Sequence, residues 1–281
     1  MSNGELSFDE LSKTFSNSGV YNASNLFLLF VFTFCNWMFE IFKWQNLANK
    51  IKPIALWEAA EQCLASHTFA LITPNRIGEY GAKTFYYKRK ERKQILFQNL
   101  LGNFYQLLVT VVIGYIGVSY FYTLTDNSSL VKTYGYAVFG IFIFCLLLLF
   151  RHKIPIINKW LTQNSIKAKY KDNMIVLLLS LLRYLVFSHQ FCFLLILFGT
   201  EISYIDCMTC IAAMYFIASI TPMLTVFDFV LKGSVAVFIF SFLQVSPLII
   251  LSTTTMMWLL NFVLPAILGS YYLLQLKPIR S

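Results

Sequence analysis

Five stretches of the chain, 25–43, 95–120, 134–150, 174–198 and 247–275, are apolar over about the length an α-helix needs to cross bilayer hydrocarbon. A chain built this way has no soluble solution. Of its 281 residues 58% are hydrophobic and only 12% charged, against about a quarter charged in an average soluble domain, so polar surface is too scarce to cover a globule. The chain reads as an all-α polytopic membrane protein. Intrinsic disorder and a disulfide-stapled secreted domain are excluded on the same grounds, and no nucleic-acid partner is expected, because a net +9 on so apolar a chain sets membrane orientation. Cys35, Cys63, Cys145 and Cys192 lie inside apolar runs, and no paired spacing points to a disulfide framework.

Two further stretches, 53–80 and 205–245, are interrupted by Thr73-Pro74 and Thr221-Pro222. Proline removes a backbone donor and pushes its predecessor out of the helical region, so both helices are expected to break there. The basic residues set the direction of the chain. Lys43, Lys50 and Lys52, the cluster from Lys83 to Lys93, the loop from Arg151 to Lys171, and Lys277 with Arg280 hold seventeen of the 22 cations, and the positive-inside rule places these segments in the cytoplasm. Segments 1–24, 121–133 and 199–206 are poor in positive charge and belong outside.

These assignments agree with one another only if 53–80 enters from the cytoplasm and returns to it, and 205–245 does the same from outside. The expected architecture is therefore about five spanning helices plus two oppositely oriented re-entrant hairpins, an inverted repeat with its site near the midplane. The alternative, a surface helix at 53–80 and two ordinary spans in 205–245, puts Lys277 and Arg280 outside, against the charge rule. A polar N-terminal tail (1–24), one transmembrane domain (25–275) and a cytoplasmic C-terminal tail (276–281) complete the plan, in a cell (inner) membrane.

Charges inside spans or hairpins are expensive and mark function by default. Asn36, Glu40 and Lys43 share one face of the first span, where Glu40 either pairs with Lys43 or faces a polar cavity. At the first hairpin tip, in Thr73-Pro74-Asn75-Arg76-Ile77-Gly78-Glu79, the Arg76 guanidinium suits bidentate contact with a phosphate and Glu79 is placed to neutralise it. The competing reading is a purely structural Arg–Glu pair. Beyond the second Thr-Pro, Asp228 and Lys232 repeat the pairing of acid and base four residues apart, with a pair snorkelling to the interface as the alternative. Arg183, one face away from Gln190, needs a buried acid, and Glu40, Glu79 and Asp228 are available.

Signals for catalysis are weak. Cys63 and His67 are four residues apart but lack a third orienting group, and Cys207-Met208-Thr209-Cys210 lacks the second ligand pair or thioredoxin-like setting that would make it a metal or redox motif. No Walker loop or Gly-x-Gly-x-x-Gly occurs, and no cofactor, metal or enzymatic activity is expected.

At the residues just described, the chain resembles the membrane region of the lysylphosphatidylglycerol synthetase/flippase family, the flippase-like domain proteins. Asn36-Trp37 with Glu40 and Lys43-Trp44, the stretch from Thr73 to Glu79, Arg183-Tyr184 with Gln190, and Asn261 with Pro265 and Gly269 carry the resemblance over about residues 30–275. The second hairpin departs from it: Asp228-Phe229-Val230-Leu231-Lys232 stands where the family usually has Glu-x-Gly-x-Arg or Gly-x-x-Glu. Relatives of this kind also carry an additional span ahead of the one at 25–43, and its absence here agrees with an outside N-terminus. The resemblance implies movement of an anionic, aminoacylated or isoprenoid-linked lipid between leaflets, without the aminoacyltransferase domain of fused relatives. Arg76, Asn75, Glu79, Asp228, Lys232, Arg183 and Glu40 would contact the headgroup, and Thr73, Pro74, Gly78, Thr221 and Pro222 would form the hairpin tips. The expected partners are membrane lipids, with a transferase enzyme or a second copy of the chain as further candidates. The alternative function is a non-catalytic membrane subunit supporting a separate glycosyl- or aminoacyl-transferase.

Overall fold

A computed structural model describes residues 14–16, 18–71, 73, 77–125, 170–220 and 228–275. Among these residues every element is helical. In chain order they are α1 (Ala23–Ala48), α2 (Leu56–Ala70), α3 (Ile77–Thr84), α4 (Arg92–Thr125), α5 (Tyr170–Leu197), α6 (Tyr204–Ile220), α7 (Asp228–Ser241), α8 (Pro247–Trp258), a π-helical turn (Leu259–Val263) and α9 (Leu264–Gln275).

Four continuous stretches are long and apolar enough to cross a membrane: Ala23–Ala48, Arg92–Tyr120, Asn173–Leu197 and Pro247–Gln275. They coincide with four of the five expected spans, and the chain is built as an integral membrane protein. The fifth, 134–150, lies outside the described residues, as do Pro74, Asn75, Arg76, Thr221 and Pro222. The surface confirms the solvent by inversion. Phe27 and Phe34 of α1 are 71% and 66% exposed, whereas Asn36, Glu40 and Lys43 on the opposite side of the same helix are buried. Water would reverse that preference; hydrocarbon produces it.

The remaining helices are short and paired. α2 has 15 residues and α3 has 8, so neither reaches across about 30 Å of hydrocarbon at 1.5 Å per residue. α6 and α7, with 17 and 14 residues, fall short in the same way. α2 ends at Ala70, just ahead of Thr73-Pro74, and α6 ends at Ile220, just ahead of Thr221. The proline rule thus accounts for both helix ends. At the first tip the Thr73 hydroxyl accepts from the Gly78 N–H at 2.9 Å and donates to the Ala70 carbonyl at 3.0 Å, closing the chain between the two helices. A Cβ on Gly78 would stand 2.8 Å from the Phe69 carbonyl, so glycine is required by the closeness of α2.

The last span carries a π-helical turn just ahead of Pro265. Proline has no N–H to return to the carbonyl four residues earlier, which is that of Asn261, and the chain widens into a π turn there. Neighbouring helices supply the missing donors. The Trp37 indole donates to the Asn261 carbonyl at 3.3 Å, His67 Nε2 meets the Phe262 carbonyl at 3.2 Å, and the Thr68 hydroxyl donates to the Ala266 carbonyl at 2.9 Å. α2 can come this close because α9 presents Gly269, where a Cβ would lie 2.1 Å from the Leu64 carbonyl.

Lys83 sits differently from its expected place: read as part of a cytoplasmic cluster, it is 1% exposed on α3, whereas Lys43 lies on α1 beside Glu40, as one of the two readings of that face had it, and is 2% exposed. Both helices run past the apolar residues that defined the expected boundaries, and each lysine finds a carboxylate on its own helix.

Candidate functional site

The inner face of α1 is polar because one helical stripe carries Thr33, Asn36, Trp37, Glu40, Lys43 and Trp44. Spacings of three and four residues keep them on one side. α5 lies against this stripe and contributes Arg183 and Gln190, two turns apart. The π turn adds Asn261, whose side chain the wider helix turn projects between α1 and α5.

These side chains form one directional chain of hydrogen bonds. Arg183 can only donate, so the Asn36 oxygen must face its Nε, at 3.1 Å. The Asn36 NH2 therefore points at the Asn261 oxygen, at 2.9 Å. Asn261 in turn donates to the Gln190 oxygen at 2.8 Å, and Gln190 donates to the Thr33 hydroxyl at 2.9 Å and to the Leu29 carbonyl at 3.2 Å. One guanidinium thus sets the orientation of three amides, of which Asn36 and Gln190 are buried and Asn261 is half-buried.

The charges converge on a single oxygen. Glu40 Oε2 lies 2.5 Å from Arg183 Nη1 and 2.6 Å from Lys43 Nζ, so two cations share one carboxylate. A second cluster stands beside it. Lys83 Nζ donates to Glu79 at 3.0 Å and to Asn99 at 2.8 Å, and it sits 4.2 Å over the Trp44 ring, a cation–π contact. The Trp44 indole donates to Gln62 Oε1 at 2.9 Å, an acceptor shared with the Tyr87 hydroxyl at 3.0 Å. Tyr87 belongs to the turn between α3 and α4, beyond the membrane-crossing helices, and burial raises its phenol above the ordinary value.

A cavity of about 140 Å³ opens against the first cluster. Asn36, Arg183 and Asn261 form its polar wall, and Lys232 reaches it from α7. Aromatic rings line much of the remainder in one continuous run, Trp37 against His67, His67 against Phe262, and Phe262 stacked on Trp258. Both short-helix pairs therefore reach the cavity, α2 through His67 and α6 with α7 through Tyr215 and Lys232. No group of three or more His, Cys, Asp or Glu suited to a metal occurs among the described residues.

Of the residues singled out from sequence, Glu40 and Arg183 are joined directly and Lys232 lines the same cavity. Glu79 does not line it; its carboxylate lies in the Lys83 cluster. Thr73 and Gly78 close the first tip. Asp228 begins α7, and Asn75 and Arg76 fall outside the described residues. Cys63 is buried in the core, and His67 is held edge-on between Trp37 and Phe262. Lys83 was the residue that sequence reasoning passed over, and its signal was the four-residue spacing from Glu79 on a short helix.

Neither a scan against models of known protein families nor a search of curated proteins returns a match for this chain.

Proposed function

We propose that the chain binds the headgroup of an anionic lipid in this cavity and assists its passage between the leaflets of a cell's inner membrane. The observation that carries this reading is the pairing at Glu40. Two cations against one carboxylate leave a positive excess in a buried cluster, and Arg183, one of those cations, forms part of the cavity wall. A buried positive excess is costly unless an anion joins it, and a phosphate or carboxylate headgroup supplies one that can stay attached to its acyl chains. The aromatic walls suit the apolar remainder of such a ligand.

In this reading α2 with α3 and α6 with α7 are the two re-entrant hairpins, entering from opposite faces, and the C-terminus is cytoplasmic. The lengths of these helices and their ends at the Thr-Pro pairs support that arrangement. The resemblance to flippase-like domain proteins points the same way.

The test is transfer of a fluorescent anionic phospholipid between leaflets of liposomes containing the purified chain. Arg183→Gln keeps a donor toward Asn36 but removes the charge. A charge-assisted contact is worth about 1.5–3 kcal/mol, so transfer should fall on the order of tenfold or more. A folded Arg183→Gln variant that transfers lipid at the unaltered rate would refute the site. Absence of transfer by the unaltered chain, with a transferase copurifying at equal amount, would replace transport with a supporting role for that enzyme.

A further inference from the structure

Neither Cys192 nor Cys207 lines the cavity, and their sulfurs lie 2.8 Å apart in the core between α5 and α6. Both are buried thiols. That separation is well inside the contact distance of two unbonded sulfurs and within about 1 Å of the disulfide length of about 2.05 Å.

The register that makes this pair is written into the turn. α5 ends with Gly199 at a φ of 89°, with its N–H on the Ile196 carbonyl at 3.0 Å and the Thr200 N–H on the Leu195 carbonyl at 3.1 Å, the paired bonds of a Schellman cap. Ser203 precedes α6, and its hydroxyl accepts from the Asp206 N–H at 3.1 Å and donates to the Asp206 carboxylate at 2.6 Å. Between these caps the crossing is further pinned by His189 and Tyr204, whose ring nitrogen and hydroxyl are 2.8 Å apart. Each device is local and specified by sequence. Together they place residue 192, just over a turn before the end of α5, opposite residue 207, one turn into α6.

We propose that Cys192 and Cys207 form a disulfide that ties α5 to α6 across the turn at 198–203. This rests on the orientation given above, which puts that turn on the outer, oxidising side. The oxidant is a protein disulfide donor of the thiol–disulfide oxidoreductase class, acting before the helices close. One cysteine thiolate attacks the donor's disulfide, forming a mixed disulfide and releasing one donor thiol. The second cysteine thiolate then displaces the other donor sulfur. The two cysteines lose two electrons and two protons, and the donor leaves as a dithiol. Cys210, three residues along α6 and buried, takes no part, so the Cys-x-x-Cys spacing at 207–210 is not the redox pair.

The experiment is two-step labelling of the full chain in its native membrane. Free thiols are blocked with one maleimide under denaturing conditions; the sample is then reduced, labelled with a second maleimide and read by peptide mass spectrometry. Cys192 and Cys207 should carry the second label and Cys210 the first, and in Cys207→Ser the label on Cys192 should switch to the first. First label on both Cys192 and Cys207 in the unaltered chain overturns the pairing, as does release of Cys192 by Cys210→Ser but not by Cys207→Ser. In a separate sample, Glu201→Cys is treated with a membrane-impermeant maleimide from outside. Labelling there with free Cys192 and Cys207 refutes the disulfide alone, whereas protection there refutes the orientation.

Discussion

Glu40 is the residue on which the buried charges depend. Arg183 and Lys43 both reach its Oε2, so replacing it strands two cations rather than one. Breaking a buried ion pair from one side costs about 3–5 kcal/mol, and Glu40→Gln should lower thermal stability in detergent by several degrees or abolish folding. Adding Lys43→Gln removes one of the stranded charges and should restore part of the loss. If Glu40→Gln unfolds at the unaltered temperature, the shared carboxylate is not holding these helices together. That Arg183 would meet a buried acid was legible in sequence, since an intramembrane arginine needs one, but Glu40 was one of three candidates and only the packing of α1 on α5 selects it. The burial of Lys83 was not legible, because a lysine that follows an apolar run has the same signature whether it sets orientation or turns inward to a carboxylate one helical turn away.

At the scale of the element, the last span shows how a proline becomes useful. Pro265 frees the Asn261 carbonyl, the π turn pushes the Asn261 side chain into the amide chain, and donors from α1 and α2 meet the exposed carbonyls. The close crossing of α2 and α9 that this needs depends on Gly269. Gly269→Ala forces a Cβ against the Leu64 carbonyl and the Thr68 hydroxyl and should destabilise by about 1–3 kcal/mol. Gly81→Ala, in a helix position with nothing within 4 Å of its new methyl, should instead stabilise by about 0.5–1 kcal/mol. Thermal unfolding of the two variants side by side checks the contrast; equal shifts would mean that the crossing is looser than the structure has it. Hydropathy located the long helices to within a few residues, and the Thr-Pro pairs located two helix ends. The π turn escaped because its cause and its compensation lie on different helices, and only their packing joins Pro265 to Trp37.

For the whole molecule, the distribution of polarity is inverted with respect to a soluble fold, with Phe27, Phe30 and Phe34 outward and a chain of amides and ion pairs inward. Sequence carried this plan because hydrophobic length and the scarcity of charge are properties of single segments. The cavity depends on seven helical elements meeting, and the meeting of Cys192 with Cys207 depends on the register of one turn; neither is a property of any segment alone. The central claim, that the positive excess at the cavity selects an anionic lipid, is tested most directly by native mass spectrometry of the purified chain presented with equal amounts of an anionic and a zwitterionic phospholipid of the same acyl chains. The expected result is retention of the anionic lipid by a factor on the order of ten, lost in Arg183→Gln. Equal retention of the two lipids, or a preference unchanged in the variant, would contradict it.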